Sequence, residues 1–412
     1  MSATLPFPLP ELSPAALDSA RCTVQWLASK AAWEVLKPEW RETHRRFSPE
    51  NLGADPDWCE ATEVIYPGIT RVVCLRRGGP ESQVREVKAV VPLHLRREAL
   101  DCQIGECNVL RLWPRTLSLA GDTLDFGQAP ADYATFFEAI LGARRETGFD
   151  VLRLTAPTAS WLWRHLQQMD WAGHGLNAYQ PDPPVQHHLI RMPESFDAYI
   201  GKFTAKTRKN RFRELKLLGQ RGEVTLDCYR QPERVETFLS EASAISRRSY
   251  QHKLLGAGLR EPERIRPRLQ LAARRGWLRS YVLRCGGAAC SYMLGYQYGG
   301  RYHYVAVGFD PAWKLLSVGT VLQMLVLQEL FERETPQVFD FGIAAPQKQY
   351  FGNDSFEEST LLLFRRGLYP GLVRELHQAS RRATRAGTRL LESCHLKARH
   401  NISCAACGAA KP

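Results

Sequence analysis

The stretch Phe309-Asp310-Pro311-Ala312-Trp313-Lys314-Leu315-Leu316-Ser317-Val318-Gly319-Thr320-Val321-Leu322 holds the residues best suited to chemistry in this 412-residue chain. An apolar run ends, a turn of small residues follows, and an apolar helical pattern begins. The first N–H groups of a helix lack intrahelical partners, and the helix dipole adds partial positive charge there. A pyrophosphate suits that place, held by the backbone of Ser317, Val318, Gly319 and Thr320. Ser317 and Gly319 are small enough for phosphates to come close, and Lys314 offers a point charge. An ordinary helix start capped by Ser317 or Thr320 reads equally well from these residues.

Three other groups bear on chemistry. Asp340 ends a strand-like run before a turn, which suits a functional carboxylate or a structural cap. The run Lys202 to Arg221 carries eight Lys/Arg against Glu214, enough to contact phosphates or to form a solvated helix face. Arg208 and Arg211 are its candidates for substrate binding, because they open the helix beside a turn. The eleven cysteines are scattered, none stands at a recognisable nucleophile position, and a covalent enzyme intermediate has no support. Cys404-x-x-Cys407 lacks the second pair of a zinc ribbon, so no metal is expected. His187-His188 and His303 fall on strand-like runs, where a satisfied histidine is the default.

The elements that would position these residues are clearest in the second half. Ser195 is placed to cap a short helix and Thr207 a second one through Leu218. Three apolar runs, Leu278 to Cys285, Ala288 to Tyr298 and Arg301 to Phe309, are separated by Gly286-Gly287 and Gly299-Gly300. Paired glycines between such runs predict an antiparallel meander. A helix from about Val318 to Glu334 follows, then a strand Val338 to Phe341, a short helix near Lys348 and a strand Ser359 to Arg365. The first half repeats this order more faintly, with strands at Ile69 to Leu75, Arg85 to Leu95, Val109 to Trp113 and Asp150 to Leu154.

Lys314-x-x-Ser317-x-Gly319 resembles the pyrophosphate loop of GNAT acetyltransferases, whose usual pattern is Arg/Gln-x-x-Gly-x-Gly/Ala. Lysine replaces Arg/Gln here, and Ser317 replaces the first glycine. Phe309-Asp310-Pro311, Ser317 to Leu322, Phe339-Asp340-Phe341-Gly342 and Lys348 to Gly352, in that order, resemble the CelD-type, FemAB-related (BioF2-like) acetyltransferase domain. So does the basic segment Thr204 to Arg211. The family often has a Tyr-Lys pair before an aromatic residue; here Gln347 precedes Lys348, and Tyr350 comes two residues later.

The resemblance implies an α/β chain of two tandem GNAT-like domains, each a mixed central sheet flanked by helices. It implies transfer of an acyl group from acetyl-CoA or another acyl-CoA to an amine by direct attack on the thioester. Relatives work in cell-envelope or polysaccharide chemistry, so a small-molecule or glycan-linked amine is the expected acceptor. Catalytic candidates are then Tyr350, to protonate the leaving thiolate, Lys348, to hold the acceptor, and Asp340. An alternative donor is aminoacyl-tRNA, as in some FemAB-like relatives, although a long helical arm insertion is missing. A second alternative is a catalytically silent basic binding protein on the same fold. Apart from tRNA, nucleic acid is not an expected partner.

Composition sets the outer bounds. Hydrophobic residues at 44% and charged residues at 24% make a globular chain long enough for two domains. The expected division is a leader at 1–24, a first domain at 25–185, a second at 186–370 and a basic tail at 371–412. From Arg365 onward ten Lys/Arg face Glu375 and Glu392, which places +8 of the net +12 there. Such a tail suits peripheral contact with a membrane or a frayed, solvated helix. No export signal and no 18-residue apolar span is found, so a cytoplasmic location is expected.

Overall fold

The computed structural model describes residues 22–77, 86–105, 107–121, 124–127, 129–248, 259, 261–343 and 350–406. In the first half, β1 (Cys22–Leu27) leads to α1 (Lys30–Glu34), α2 (Lys37–Phe47) and α3 (Pro56–Ile65). Strands β2 (Thr70–Arg77) and β3 (Glu86–Arg97) follow, then a hairpin of β4 (Leu100–Ile104) and β5 (Cys107–Leu112), and β6 (Arg115–Leu119). Helices α4 (Pro130–Gly142) and α5 (Arg144–Thr147), β7 (Val151–Pro157), α6 (Trp161–Gln168) and β8 (Leu176–Tyr179) complete it.

The second half opens with β9 (Val185–Arg191), α7 (Phe196–Gly201), α8 (Ala205–Gly219), β10 (Val224–Tyr229), α9 (Val235–Arg248) and α10 (Pro262–Arg274). The meander β11 (Ser280–Cys285), β12 (Ala288–Tyr298) and β13 (Arg301–Phe309) is present as expected. Both of its glycine pairs have positive φ, 56° and 79° at Gly286-Gly287 and 54° and 77° at Gly299-Gly300. Then come α11 (Val318–Arg333), β14 (Val338–Ile343), β15 (Asp354–Arg365) and α12 (Leu368–Ala406).

One mixed sheet of thirteen strands runs through both halves in the order β1-β2-β3-β6-β7-β15-β9-β14-β13-β12-β11-β10, with β8 also on β15. The last strand, β15, is the link. It pairs antiparallel with β7 through Glu358–Phe364 and with β9 through Asp354–Glu358. Because neighbours in register share a face, the sheet has two sides. On the front, α4 and α6 cover a core around Leu93, Leu152 and Phe137, while α8 and α11 cover one around Tyr281, Met293 and Phe339. On the back, α2 and α3 cover Val72 and Cys74, α9 and α10 cover Val282 and Tyr292, and α12 lays Val373 on Leu362 and Phe364.

The halves also touch on the back. Trp58 meets the Tyr296 ring edge-on at 4.9 Å, and the Tyr298 hydroxyl donates to Asp55 at 2.8 Å. A Cβ at Gly299 would lie 2.1 Å from the Pro49 carbonyl oxygen, so the meander's second turn needs a glycine for close approach as well as for φ.

Three expectations change. The leader gives way to strand β1 at Cys22, whose register with β2 runs Cys22↔Arg77 to Leu27↔Val72. Thr204, not Thr207, caps α8: it takes the extended conformation and its side chain accepts from the Thr207 N–H. The stretch after Pro370 is no frayed end. Val373, His377 and Ser380 are buried at helical spacing, so the first turns of α12 belong to the core.

Candidate active site

Strands β13 and β14 run parallel but pair only over Arg301–His303 and Val338–Asp340. Beyond that point they part, and the wedge opens toward their C-terminal ends. An extra residue accentuates this. Leu294 pairs with Ala306 and Gly295 with Tyr304, so Val305 bulges from β13, and it is 53% exposed. Backbone groups of β13 beyond His303 that point away from β12 therefore face the wedge.

The residues expected from the sequence to hold a pyrophosphate follow directly on β13. Asp310 accepts from the Ala312 N–H and opens a short 3₁₀ helix of two turns, Pro311–Leu316. Arg248, at the end of α9, holds the other Asp310 oxygen at 2.6 Å. Ser317 then takes a left-handed backbone, φ 50°, the one non-glycine to do so among the described residues. That is the position where the GNAT pattern has its first glycine, and for a serine it costs about 1 kcal/mol. Ser317 thus ends one turn and starts α11 by backbone geometry, without a side-chain cap. Intrahelical bonding begins with Thr320 N–H and Val321 N–H on the Ser317 carbonyl. The Val318 and Gly319 amides precede it. A Cβ at Gly319 would meet only Phe309 Cδ1, at 3.9 Å, so the chain leaves the space beside that glycine open. Lys314, three residues before Ser317, is exposed.

Helix α8 packs against this turn and against α11, which brings the basic run to the donor loop. Arg208 and Arg211 are half-buried one turn apart on it. The Arg211 guanidinium lies over the Phe351 ring at 4.5 Å. Phe351 is itself core, beside Phe341 at 6.4 Å, and the chain around it is clamped. Tyr199 donates to the Phe351 carbonyl at 3.0 Å, Lys202 donates to the same oxygen and to that of Gly352, and Asn353 exchanges hydrogen bonds with the Arg191 backbone. The Lys202 stem is exposed, but its ammonium is sunk between Tyr199 and Phe203, and burial lowers its pKa to about 8. On this fixed segment Tyr350, seven residues after the end of β14, is 65% exposed. Lys348 lies outside the described residues.

Asp340 sits at the closed end of the wedge, on the back face, and is 6% exposed. One oxygen accepts from His187 Nε2 at 2.6 Å and from the Gly342 N–H at 2.7 Å; the other accepts from Arg301 at 2.6 Å. Burial alone would raise its pKa, but the His187 bond and charge, then Arg301, hold it well below the usual carboxylate range. Burial would lower the pKa of His187, yet its bonds to Asp340 and to Glu358 (Nδ1, 3.3 Å) raise it to about 9. Asp340 is thus a locked anion. Four strands, β13, β14, β9 and β15, meet in this cluster. Sequence reasoning passed over His187, Glu358 and Arg301, because their partnership depends on strand order.

From there a polar row crosses the back of the sheet. Register puts Glu358, Thr360, Thr155 and Arg153 on the same face as His187, and Thr155 and Thr360 share a hydrogen bond of 2.8 Å. The row leads to a cleft of about 730 Å³ lined by Tyr66, Arg96, Arg97, Glu98, Arg153 and Arg264. Glu98 pairs with Arg96 at 2.6 Å and Arg153 at 2.8 Å. Among the described residues no group of three or more His, Cys, Asp or Glu could hold a metal ion. No helix among them is long and apolar enough to cross a membrane.

Residues 205–352, from the start of α8 to just past Tyr350, match the family described as the acetyltransferase (GNAT) domain. No curated protein matches the sequence. Among solved structures, FemX is 10% identical, with 83% of this chain and 98% of that chain covered and a TM-score of 0.55, which shows a shared fold. A tandem GNAT protein from the clavulanic acid biosynthesis pathway is 12% identical, with coverage of 84% and 99% and a TM-score of 0.48. A GCN5-related N-acetyltransferase from Sphaerobacter thermophilus is 11% identical, with coverage of 84% and 97% and a TM-score of 0.39.

Proposed function

We propose that this chain, an acyltransferase by its GNAT domain, takes an acyl group from acyl-CoA and passes it to an amine. The observation that carries this reading is the parted pair β13 and β14 with the left-handed Ser317 and the open side of Gly319 at its mouth. The pyrophosphate is assigned to the amides of Val318 and Gly319, since the Ser317 and Thr320 amides already bond to the Lys314 and Ser317 carbonyls, with Lys314, Arg208 and Arg211 as nearby positive charge. The pantetheine arm then runs along the unpaired edge of β13, and the thioester comes to the wedge between the donor loop and Asp340.

The amine arrives deprotonated and attacks the thioester carbonyl. The N–C bond forms as the C–S bond breaks, the nitrogen passes its excess proton to water, which makes good the one that Tyr350 later takes from water, and coenzyme A leaves as the thiol. Tyr350 gives the leaving sulfur its proton and regains one from water. Asp340 is assigned a positioning role, since a carboxylate held by His187, Arg301 and an amide keeps β13 and β14 joined at the apex. Lys348 is assigned to the acceptor. The polar row and the arginine-lined cleft on the back of the sheet offer the acceptor its path, which suits the envelope- or polysaccharide-related amines of the CelD-type, FemAB-related branch.

A thermal-shift series with acetyl-CoA, longer acyl-CoAs and aminoacyl-tRNA tests the donor. Stabilisation by an acyl-CoA is expected. Stabilisation by aminoacyl-tRNA alone would move the chain to the tRNA-dependent reading, and response to none would favour a silent binding protein.

A further inference from the structure

A second surface lies far from the donor loop, and nothing in the proposed reaction uses it. Strand β5 is exposed along almost its whole length: Val109 is 57% and Leu110 42% exposed, with Ile104 at 48% and Trp113 at 48% on either side of it. The adjoining start of α12 adds Leu368 at 97% and Leu372 at 57%. These apolar groups are held firmly in place. Thr384, midway along α12, donates to the Gln103 carbonyl at 2.7 Å and accepts from the Gly105 N–H at 3.2 Å. At the other end of the hairpin, Leu100 and Leu112 pack with the buried Val373. Hairpin and helix are one rigid unit, with greasy side chains outward. Several large apolar side chains exposed on one hairpin and on the helix beside it mark an interaction site.

The charge of the unit selects the partner. Helix α12 carries seven Lys/Arg against Glu375 and Glu392, and Glu375 is already paired with Arg374. Arg382 and Arg385 are exposed beside the hairpin tip's anchor at Thr384. A second copy of the chain would bring the same positive charge to the contact, which opposes self-association. An anionic bilayer meets both demands at once. Apolar side chains sink into the headgroup boundary, where tryptophan is favoured, and the basic helix stays over the charged lipids.

We propose that the β4–β5 hairpin and α12 dock this protein on an anionic membrane surface. The end of β3 and the turn after it, Arg96 to Ala99, lead into the hairpin and also line the arginine cleft, so docking places that cleft at the membrane. The docking inference stands whether or not the donor assignment does.

Vesicle co-sedimentation of the full chain is the test, with phosphatidylglycerol–phosphatidylcholine vesicles against phosphatidylcholine alone. Binding to the anionic vesicles only, weakened by salt, is expected. The pairs Val109→Ser with Trp113→Ala, and Arg382→Glu with Arg385→Glu, should each lose about tenfold or more in affinity. Melting curves and far-ultraviolet circular dichroism at the parent level would show that the variants fold. Equal binding to neutral vesicles, no binding at all, or well-folded variants that bind like the parent would overturn the proposal. So would a dimer in solution that the Val109→Ser, Trp113→Ala pair converts to monomer.

Discussion

Ser317 and Gly319 play opposite parts in the loop proposed for the donor. Ser317 bears a strained backbone that glycine would adopt freely, whereas Gly319 leaves open the space a phosphate would fill. Ser317→Gly should therefore raise stability, or leave it unchanged if the gain in unfolded-chain entropy cancels the roughly 1 kcal/mol of relieved strain. It should keep donor affinity within about threefold, a small change on the scale where tenfold is 1.4 kcal/mol. A denaturant titration and a binding curve check both. Tyr350→Phe removes only the hydroxyl. Loss of general acid help should lower the turnover number by about 10²–10⁴-fold with little change in acyl-CoA affinity. A turnover number near that of the parent rules Tyr350 out as the acid.

His187 gives a pH signature at the same scale. Its folded pKa of about 9 lies above its ordinary 6.5, so the protonated ring stabilises the fold. That contribution is fully present below pH 6.5 and is lost as pH rises through 9. The linked free energy is on the order of 3 kcal/mol. Asp340 works in the other direction: its depressed pKa contributes above its ordinary 3.8 and is lost only in strong acid. The stability gap between the parent and His187→Gln should narrow from pH 6.5 to 9. A gap that stays constant over that range would show that His187 is not a buried cation.

Among the elements, the meander and α11 were legible in the sequence, because paired glycines and an apolar helical run are local signals. Helix α12 was not read as core. Its buried stripe, Val373, His377 and Ser380, is mostly polar, and high local charge disguised it. His377 is satisfied by Tyr179 at 3.1 Å and Arg381 by Asp182, partners that no local pattern reveals. This changes what truncation should do. Removing residues 388–412 should leave melting and donor binding intact. Removing residues 374–412 should destabilise the fold by several kcal/mol, since it strips Val373's helix from Leu362 and Phe364, and each buried side chain is worth roughly 1.5–3 kcal/mol. A 374–412 deletion that melts with the parent would put the helix outside the core.

At the scale of the whole molecule, the tandem order of elements was visible but the way the halves join was not. Strand β15, last in the chain, inserts between β7 and β9, a pairing between residues some two hundred apart that periodicity cannot encode. The same insertion creates the Asp340–His187–Glu358 cluster, which is why the sequence pointed to Asp340 but missed its partners. The loop proposed for the donor is legible as a candidate because its pattern is contained within a dozen residues. Calorimetric titration of acetyl-CoA and a longer acyl-CoA into the parent and into Gly319→Asp tests the proposed donor site most directly. The open side of Gly319 admits the new side chain without disturbing the fold, so the variant should melt like the parent. It should bind acyl-CoA at least about tenfold more weakly, because a carboxylate then occupies the place assigned to the pyrophosphate. A well-folded Gly319→Asp that binds acyl-CoA as tightly as the parent would contradict the donor site proposed at α11.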